Sequence, residues 1–290
     1  MLPALIKAMR LRQWTKNGFI FFALIFDRQL LIPESFWRTI AGFFLFCLVS
    51  SSVYLFNDIA DVEADRNHPE KKSRPIASGK LPVNVALSAA VLLVLVAIPL
   101  GYLLSPLFAW VLAAYLLINL LYSRWLKHVS ILDVLIISSG FVLRVVAGVI
   151  LIYPVERFSP WLYMITILFS LYIGLGKRRA EMNLLAQGAS AHRRVFEGYT
   201  IPLLDQYITI VSSMTIVAYS LYTFSAPNLP ENHSMMLTIP FVVYGIFRYL
   251  QLIQTGHAAG SPDEVALKDR PLQITMLLWG LAVIVIFYLS

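Results

Sequence analysis

The sequence predicts an all-α integral membrane protein, a single polytopic transmembrane domain over residues 1–290 with nine transmembrane helices. Three observations predict it. The chain is 59% hydrophobic and 13% charged, where soluble domains run at roughly 45–50% and 25%. A soluble core of this size could not hide that much apolar surface, so lipid has to solvate most of it. The apolar residues also gather into runs near the ~20 residues that a spanning helix needs. Finally, the basic residues fall almost entirely between alternate runs.

The first run, 17–33, follows a basic stretch. No small-residue cleavage site appears before Asp27 and Arg28, so it reads as a span and not as a cleavable leader. The second, 36–57, ends directly in a string of acids. The third and fourth, 82–104 and 106–124, meet at the tight connection Ser105-Pro106. The fifth, 130–152, contains Arg144, and a charge at span depth faces a cavity or a partner. The sixth, 159–176, stops at Lys177-Arg178-Arg179. The seventh, eighth and ninth occupy 204–224, 235–254 and 271–289. No soluble domain fits between these runs, and no short-period repeat is visible.

With nine spans, one side holds the N-terminus and the loops after the second, fourth, sixth and eighth. That side carries nineteen Lys and Arg residues, the other only Arg28, Arg38 and Arg157, and Arg144 completes the total of 23. The bias puts the N-terminus and the long loops in the cytoplasm and Ser290 outside, an orientation expected of a plasma (bacterial-type inner) membrane protein. It also accounts for the net charge of +7 without any nucleic-acid partner. The lone Cys47 sits in an apolar run, which excludes a disulfide framework or a cysteine metal site.

The chemistry concentrates after the second run, at Asn57-Asp58-Ile59-Ala60-Asp61-Val62-Glu63-Ala64-Asp65. If the helix continues to this point, Asn57, Asp61 and Asp65 lie within about 80° of arc, with Asp58 close by. Carboxylates on one face repel unless a cation neutralises them, and an all-oxygen set suits Mg²⁺, which commonly joins one or two carboxylates to substrate phosphates. The plainer alternative is a solvated helix end whose acids pair with Arg66, Lys71 and Lys72.

The pattern Asn57-Asp58-x-x-Asp61-x-x-x-Asp65 resembles the first aspartate-rich motif of the UbiA superfamily of membrane prenyltransferases. The resemblance covers essentially the whole chain. It implies helices around a central cavity, with a Mg²⁺–diphosphate site at the cytoplasmic end. Most aromatic prenyltransferases of that superfamily carry a second acidic motif after the sixth span. Here that place reads Gly176-Lys177-Arg178-Arg179-Ala180-Glu181, with one acid. Lys177 and Glu181 are four apart and share a helix face.

Further segments are similar to the polyprenyl-phosphate (decaprenyl-type) phosphoribosyltransferase branch. They are Arg10-x-Arg12-Gln13-Trp14-x-Lys16-Asn17, His68-Pro69-Glu70-Lys71-Lys72-x-Arg74-Pro75, Tyr122-Ser123-x-x-Leu126-Lys127 with Asp133, Gly140 to Arg144, and Leu267-Lys268-Asp269-Arg270-Pro271. The resemblance implies transfer of 5-phosphoribose from phosphoribosyl diphosphate (PRPP) to a polyprenyl monophosphate. It further implies Mg²⁺ on Asn57, Asp58, Asp61 and Asp65. Asp58, Asp61 and Lys177 are the expected catalytic residues. Lys16, Asn17, Arg74, Tyr122, Lys127, Arg144, Arg178 and Glu181 are the expected substrate contacts. An aromatic prenyltransferase using polyprenyl diphosphate is the alternative, though its second acidic cluster is missing. A transporter of anionic substrates would need broken helices paired across an inverted repeat, which the sequence does not display. Lipid length, oligomeric state and the division of basic residues among the phosphates stay open.

Overall fold

A computed structural model describes residues 1–68, 71–152, 159–186, 194–255, 265 and 268–289. Pro69, Glu70, Arg157, Leu267 and Ser290, all named above, lie outside the described residues. Among the described residues eight helical segments are long and apolar enough to cross a membrane, and no strand occurs. The helices are α1 (Leu2–Ala8), α2 (Phe21–Phe26), α3 (Pro33–Ala60), α4 (Val62–Arg66), α5 (Val83–Leu104), α6 (Pro106–Arg124), α7 (Leu132–Leu151), α8 (Pro160–Ala186), α9 (Ile201–Ser225), α10 (Ile239–Gln254) and α11 (Arg270–Tyr288). Pro33 and Pro106 open α3 and α6 at positions where the missing N–H costs nothing. α8 runs about ten residues beyond the expected end of its span, so Lys177, Arg178 and Glu181 are helical.

The first expected span is not an α-helix. Leu11–Ile20 is a ten-residue 3₁₀ helix that continues into the short α2. At about 2.0 Å per residue this segment and α2 together cover about 29 Å, close to the ~30 Å of a bilayer's hydrocarbon core. Its contacts show that it runs antiparallel to α3 along most of that helix. Arg10 bonds Asp58 near the end of α3, Trp14 bonds Ser51, Asn17 bonds Ser50 and Cys47, and the Phe21 ring meets Phe43. Beyond α2, the Gln29 side chain accepts from Ser35 at the start of α3. The ninth crossing is therefore a composite of 3₁₀ and α turns. A 3₁₀ helix eclipses every third residue, which aligns Trp14, Asn17 and Ile20 on the face turned to the polar ridge Cys47-Ser50-Ser51.

The chain forms two compact units. The first comprises Met1–Lys127 with the C-terminal half of α7 from Leu143. Its core gathers Ile20, Phe46, Val49, Leu112, Ala147 and Leu151. Gly148 lets the Ile20 carbonyl approach α7 where any Cβ would overlap it. Arg38 donates to the backbone oxygens of Leu151 (3.1 Å) and Leu104 (3.1 Å), capping the C-terminal ends of α7 and α5 with one cation. This explains one of the three bases on the sparsely charged side.

The second unit comprises the N-terminal half of α7, up to Val142, with α8–α11. Its core gathers Tyr172, Leu204, Ile208, Ile246, Tyr249 and Ile253. Thr200 and Asp269 cap the N-termini of α9 and α11, accepting from Leu203 (3.2 Å) and Leu272 (2.9 Å).

Candidate functional site

At the end of α3 the helix breaks at Asp61 (φ −95°, ψ 8°) and resumes as α4. The ladder of i→i−4 bonds nevertheless carries through, from Asp61 N–H to the Asn57 carbonyl (3.0 Å) and from Asp65 N–H to that of Asp61 (2.8 Å). The acidic segment therefore keeps its helical phase through a formal break. Its members differ in depth. Asp58 and Asp65 are buried at 3% exposure each, whereas the Asp61 side chain is 41% exposed.

The acids are met by cations drawn from distant segments. Arg10 reaches Asp58 at 2.6 Å. Arg74 lies between Asp58 (3.1 Å) and Asp65 (2.6 Å), so Asp58 Oδ1 accepts from two guanidiniums. Lys127 pairs with Asp61 at 3.0 Å, and the Ser123 hydroxyl donates to the Asn57 side-chain oxygen. Arg66, a partner in the plainer sequence reading, bonds Glu63 instead (2.7 Å).

Deeper in the same unit, Arg144 is 5% exposed. It donates to the Asn17 side-chain oxygen (2.8 Å) and to Tyr115 Oη (3.0 Å). Its guanidinium also lies over the rings of Phe46 (5.1 Å) and Tyr115 (4.8 Å). Asn17 uses its amide N–H₂ on Cys47 Sγ and Ser50 Oγ, both at 3.1 Å. That network fixes which end of the amide faces Arg144. Lys16 precedes Asn17 on the 3₁₀ helix and is half-buried; Tyr122 is likewise half-buried on the last turns of α6.

A separate polar network lies within the second unit. Arg178, 2% exposed, donates to Asp133 at 2.6 Å and to Glu181 on its own helix. Glu181 thus pairs with the base three residues before it. Asp133 also accepts from Tyr199 Oη (2.8 Å), and Tyr199 Oη accepts from Ile131 N–H (2.6 Å). Burial raises the Tyr199 hydroxyl well above the ordinary tyrosine value, keeping it a donor to Asp133. Ile131 has φ +69°, a left-handed conformation that a β-branched residue rarely adopts. The hydrogen bond to Tyr199 helps hold that turn. Lys177 is half-buried on α8, and Arg179 pairs with Asp205.

The family model described as the UbiA prenyltransferase family matches residues 19–266. The chain belongs to the UbiA prenyltransferase family. It is 37% identical to a decaprenyl-phosphate phosphoribosyltransferase of Mycolicibacterium smegmatis, over 96% of this chain and 91% of that protein. Its identity to the decaprenyl-phosphate phosphoribosyltransferase of Corynebacterium glutamicum is 34%, over 98% of this chain and 87% of the relative. The fold matches a UbiA homolog from Archaeoglobus fulgidus bound to DMAPP and Mg²⁺ at TM-score 0.73, with 14% identity and 99% of both chains covered.

In this UbiA family member the donor set at the end of α3 is chemically suited to a hard cation, with three carboxylates and one amide oxygen between Asn57 and Asp65. Among the described residues no three His, Cys, Asp or Glu side chains converge closely enough to hold a metal unaided. Mg²⁺ itself takes few protein ligands and completes its shell with water and phosphate oxygens. Sequence reasoning did not find Arg10 as the partner of Asp58, because 48 residues separate them. It also missed Tyr199 and placed Asp133 only by motif. The surrounding pattern gives no local signal for either pairing.

Proposed function

We propose that the protein transfers 5-phosphoribose from PRPP to a polyprenyl monophosphate of decaprenyl type, releasing diphosphate. The observation that carries this reading is the 37% identity, over 96% of the chain, to a decaprenyl-phosphate phosphoribosyltransferase. The cluster at the end of α3 and the basic Lys177–Arg179 segment support it. Asp58 and Asp61, with Asn57 and Asp65, would hold Mg²⁺ against the diphosphate. Magnesium bound there would neutralise charge developing on the leaving group.

Arg74 and Lys127, already beside those carboxylates, would contact diphosphate oxygens. Lys16, Lys177 and Arg178 would serve the 5-phosphate and the lipid phosphate, with Asn17, Tyr122, Arg144 and Glu181 completing the substrate contacts. Arg178, fixed between Asp133 and Glu181, would offer a pre-oriented guanidinium to a phosphate. The C1–O bond to diphosphate breaks with its electron pair on the leaving oxygen, while a lipid-phosphate oxygen bonds to C1. That acceptor is an anion near neutral pH, so positioning matters more than deprotonation. The isoprenoid tail would lie among apolar helices. The positive bias supports a cytoplasmic side for these loops and the N-terminus in a plasma membrane.

The test is transfer of radiolabelled ribose from PRPP to polyprenyl phosphate by purified protein in detergent with Mg²⁺. Wild type is expected to transfer, and Asp58→Ala and Asp61→Ala to lose activity. Full activity in both variants overturns the metal assignment. Failure of wild type with PRPP, combined with prenylation of an aromatic acid, overturns the reaction.

A further inference from the structure

We propose that Arg10 and Arg74 are exchangeable counter-ions, holding Asp58 and Asp65 closed to a free cation until a diphosphate arrives to take the guanidiniums. The inference rests on the reading that this site takes a metal–diphosphate.

Depth is the first observation. The two carboxylates are 3% exposed, while the side chains of Arg10 and Arg74 are 31% and 28% exposed. The two cations are therefore far more accessible than the acids they bind. Charge is the second. Asp58, Asp61 and Asp65 face Arg10, Arg74 and Lys127, three anions against three cations. A dication entering this set alone would add two unbalanced charges at a partly dehydrated site, which is unfavourable. A dication arriving with a diphosphate brings its own compensation, because the displaced guanidiniums gain phosphate oxygens, for which their fork geometry is suited.

The third observation is that Arg10 is held under strain. Its backbone is left-handed (φ 53°, ψ 54°) at the junction between α1 and the 3₁₀ helix, a conformation in which a non-glycine Cβ crowds the neighbouring carbonyl. The bond to Asp58 and the stacking over the Tyr54 ring at 5.0 Å hold it there. Release from Asp58 removes one of these restraints, so Arg10 has a way to move that a residue inside a regular helix would lack. Arg74 sits in the short segment after the 3₁₀ turn Lys71–Ser73, also outside any long helix. Asp61, the most exposed of the three acids, is where an incoming metal first meets a carboxylate.

The consequence is reciprocal. Removing either guanidinium strengthens metal binding in the absence of diphosphate and weakens the coupling between the two ligands. The experiment measures Mn²⁺ binding to purified full-length protein by the loss of the free-ion EPR signal, with and without inorganic diphosphate. Arg10→Gln and Arg74→Gln are expected to bind Mn²⁺ alone about tenfold or more tightly than wild type, the equivalent of one charged hydrogen bond lost by the competitor. Diphosphate is expected to promote protein-bound Mn²⁺ strongly in wild type and weakly in the variants. Arg10→Lys keeps a cation over Asp58 and is expected to stay near wild type, which separates charge competition from general loosening.

Equal or weaker Mn²⁺ binding by Arg10→Gln, in protein whose melting midpoint matches wild type, overturns the exchange. If Arg74→Gln does not fold, the Arg10 pair of variants decides the matter by itself. Ribose transfer is scored separately. Exchange without transfer from PRPP refutes the reaction and leaves the counter-ion device standing; transfer without exchange does the reverse.

Discussion

Arg144 carries a full charge on a membrane-spanning helix, 5% exposed, and its neighbours define what it can do. Asn17 and Tyr115 fix two edges of the guanidinium, and the Phe46 and Tyr115 rings cover its faces. A lysine keeps the charge but neither the planar fork nor the stacking. Arg144→Lys is therefore expected to lower kcat/KM for ribose transfer by about tenfold to a hundredfold, with a melting midpoint that falls only slightly. An unchanged kcat/KM would make Arg144 purely architectural. Asp269 offers a second residue-level test. The Arg248 hydrogen bonds pull its carboxyl below the ordinary value, and it also caps α11. A depressed folded pKa gives stability that is present above the unfolded carboxylate value of about 3.9 and lost as pH falls through the folded one. Asn caps helices as well as Asp does, so Asp269→Asn removes mainly the charge. Its midpoint is expected to trail wild type at pH 6 and to converge with it as pH falls through the depressed carboxyl value. At this scale the sequence showed Arg144 and the acids plainly, since a charge in an apolar run is conspicuous. It could not show Arg10 paired with Asp58, which depends on a left-handed residue and a partner 48 positions away.

The least legible element is the first crossing. A hydropathy window averages polarity and says nothing about rise per residue, so 17–33 looked like an ordinary span. In the structure the crossing starts near Arg10, because Trp14, Asn17 and Ile20 must meet the ridge of α3 at a period of three. This arrangement depends on Gly148, whose missing side chain admits the Ile20 carbonyl. Gly148→Val forces the two backbones apart and is expected to destabilise the first unit by about 1–3 kcal/mol, the usual cost of overpacking. The measurement is the melting midpoint in detergent, alongside Gly280→Val as a control, where a Cβ meets nothing within 4 Å. Equal midpoints in the two variants would show that the close approach does not matter. The other helices were legible because Pro, Gly and charged clusters bound them, and their observed ends mostly fall within about three residues of expectation.

At the level of the whole molecule, the expected nine crossings and the alternation of basic loops depend on each other. If Leu11–Phe26 failed to cross, α1 would lie on the opposite side from the loop after α4, and Arg10 could not reach Asp58 as it does at 2.6 Å. The side of the membrane is a further step, because it rests on the bias of nineteen bases against three. Labelling can separate the two. Cys47, the native cysteine, is fully buried and should stay dark to a membrane-impermeant maleimide. Lys7→Cys, Lys72→Cys and Glu231→Cys each place a thiol at an exposed position. In intact cells only Glu231→Cys, in the connection between α9 and α10, is expected to react; after permeabilisation all three should. Labelling of Lys7→Cys without Lys72→Cys would deny the composite crossing. Labelling of both, with Glu231→Cys protected, would keep nine crossings and invert the protein, putting the aspartate cluster on the side away from cytoplasmic PRPP and ruling out the proposed reaction in the cell.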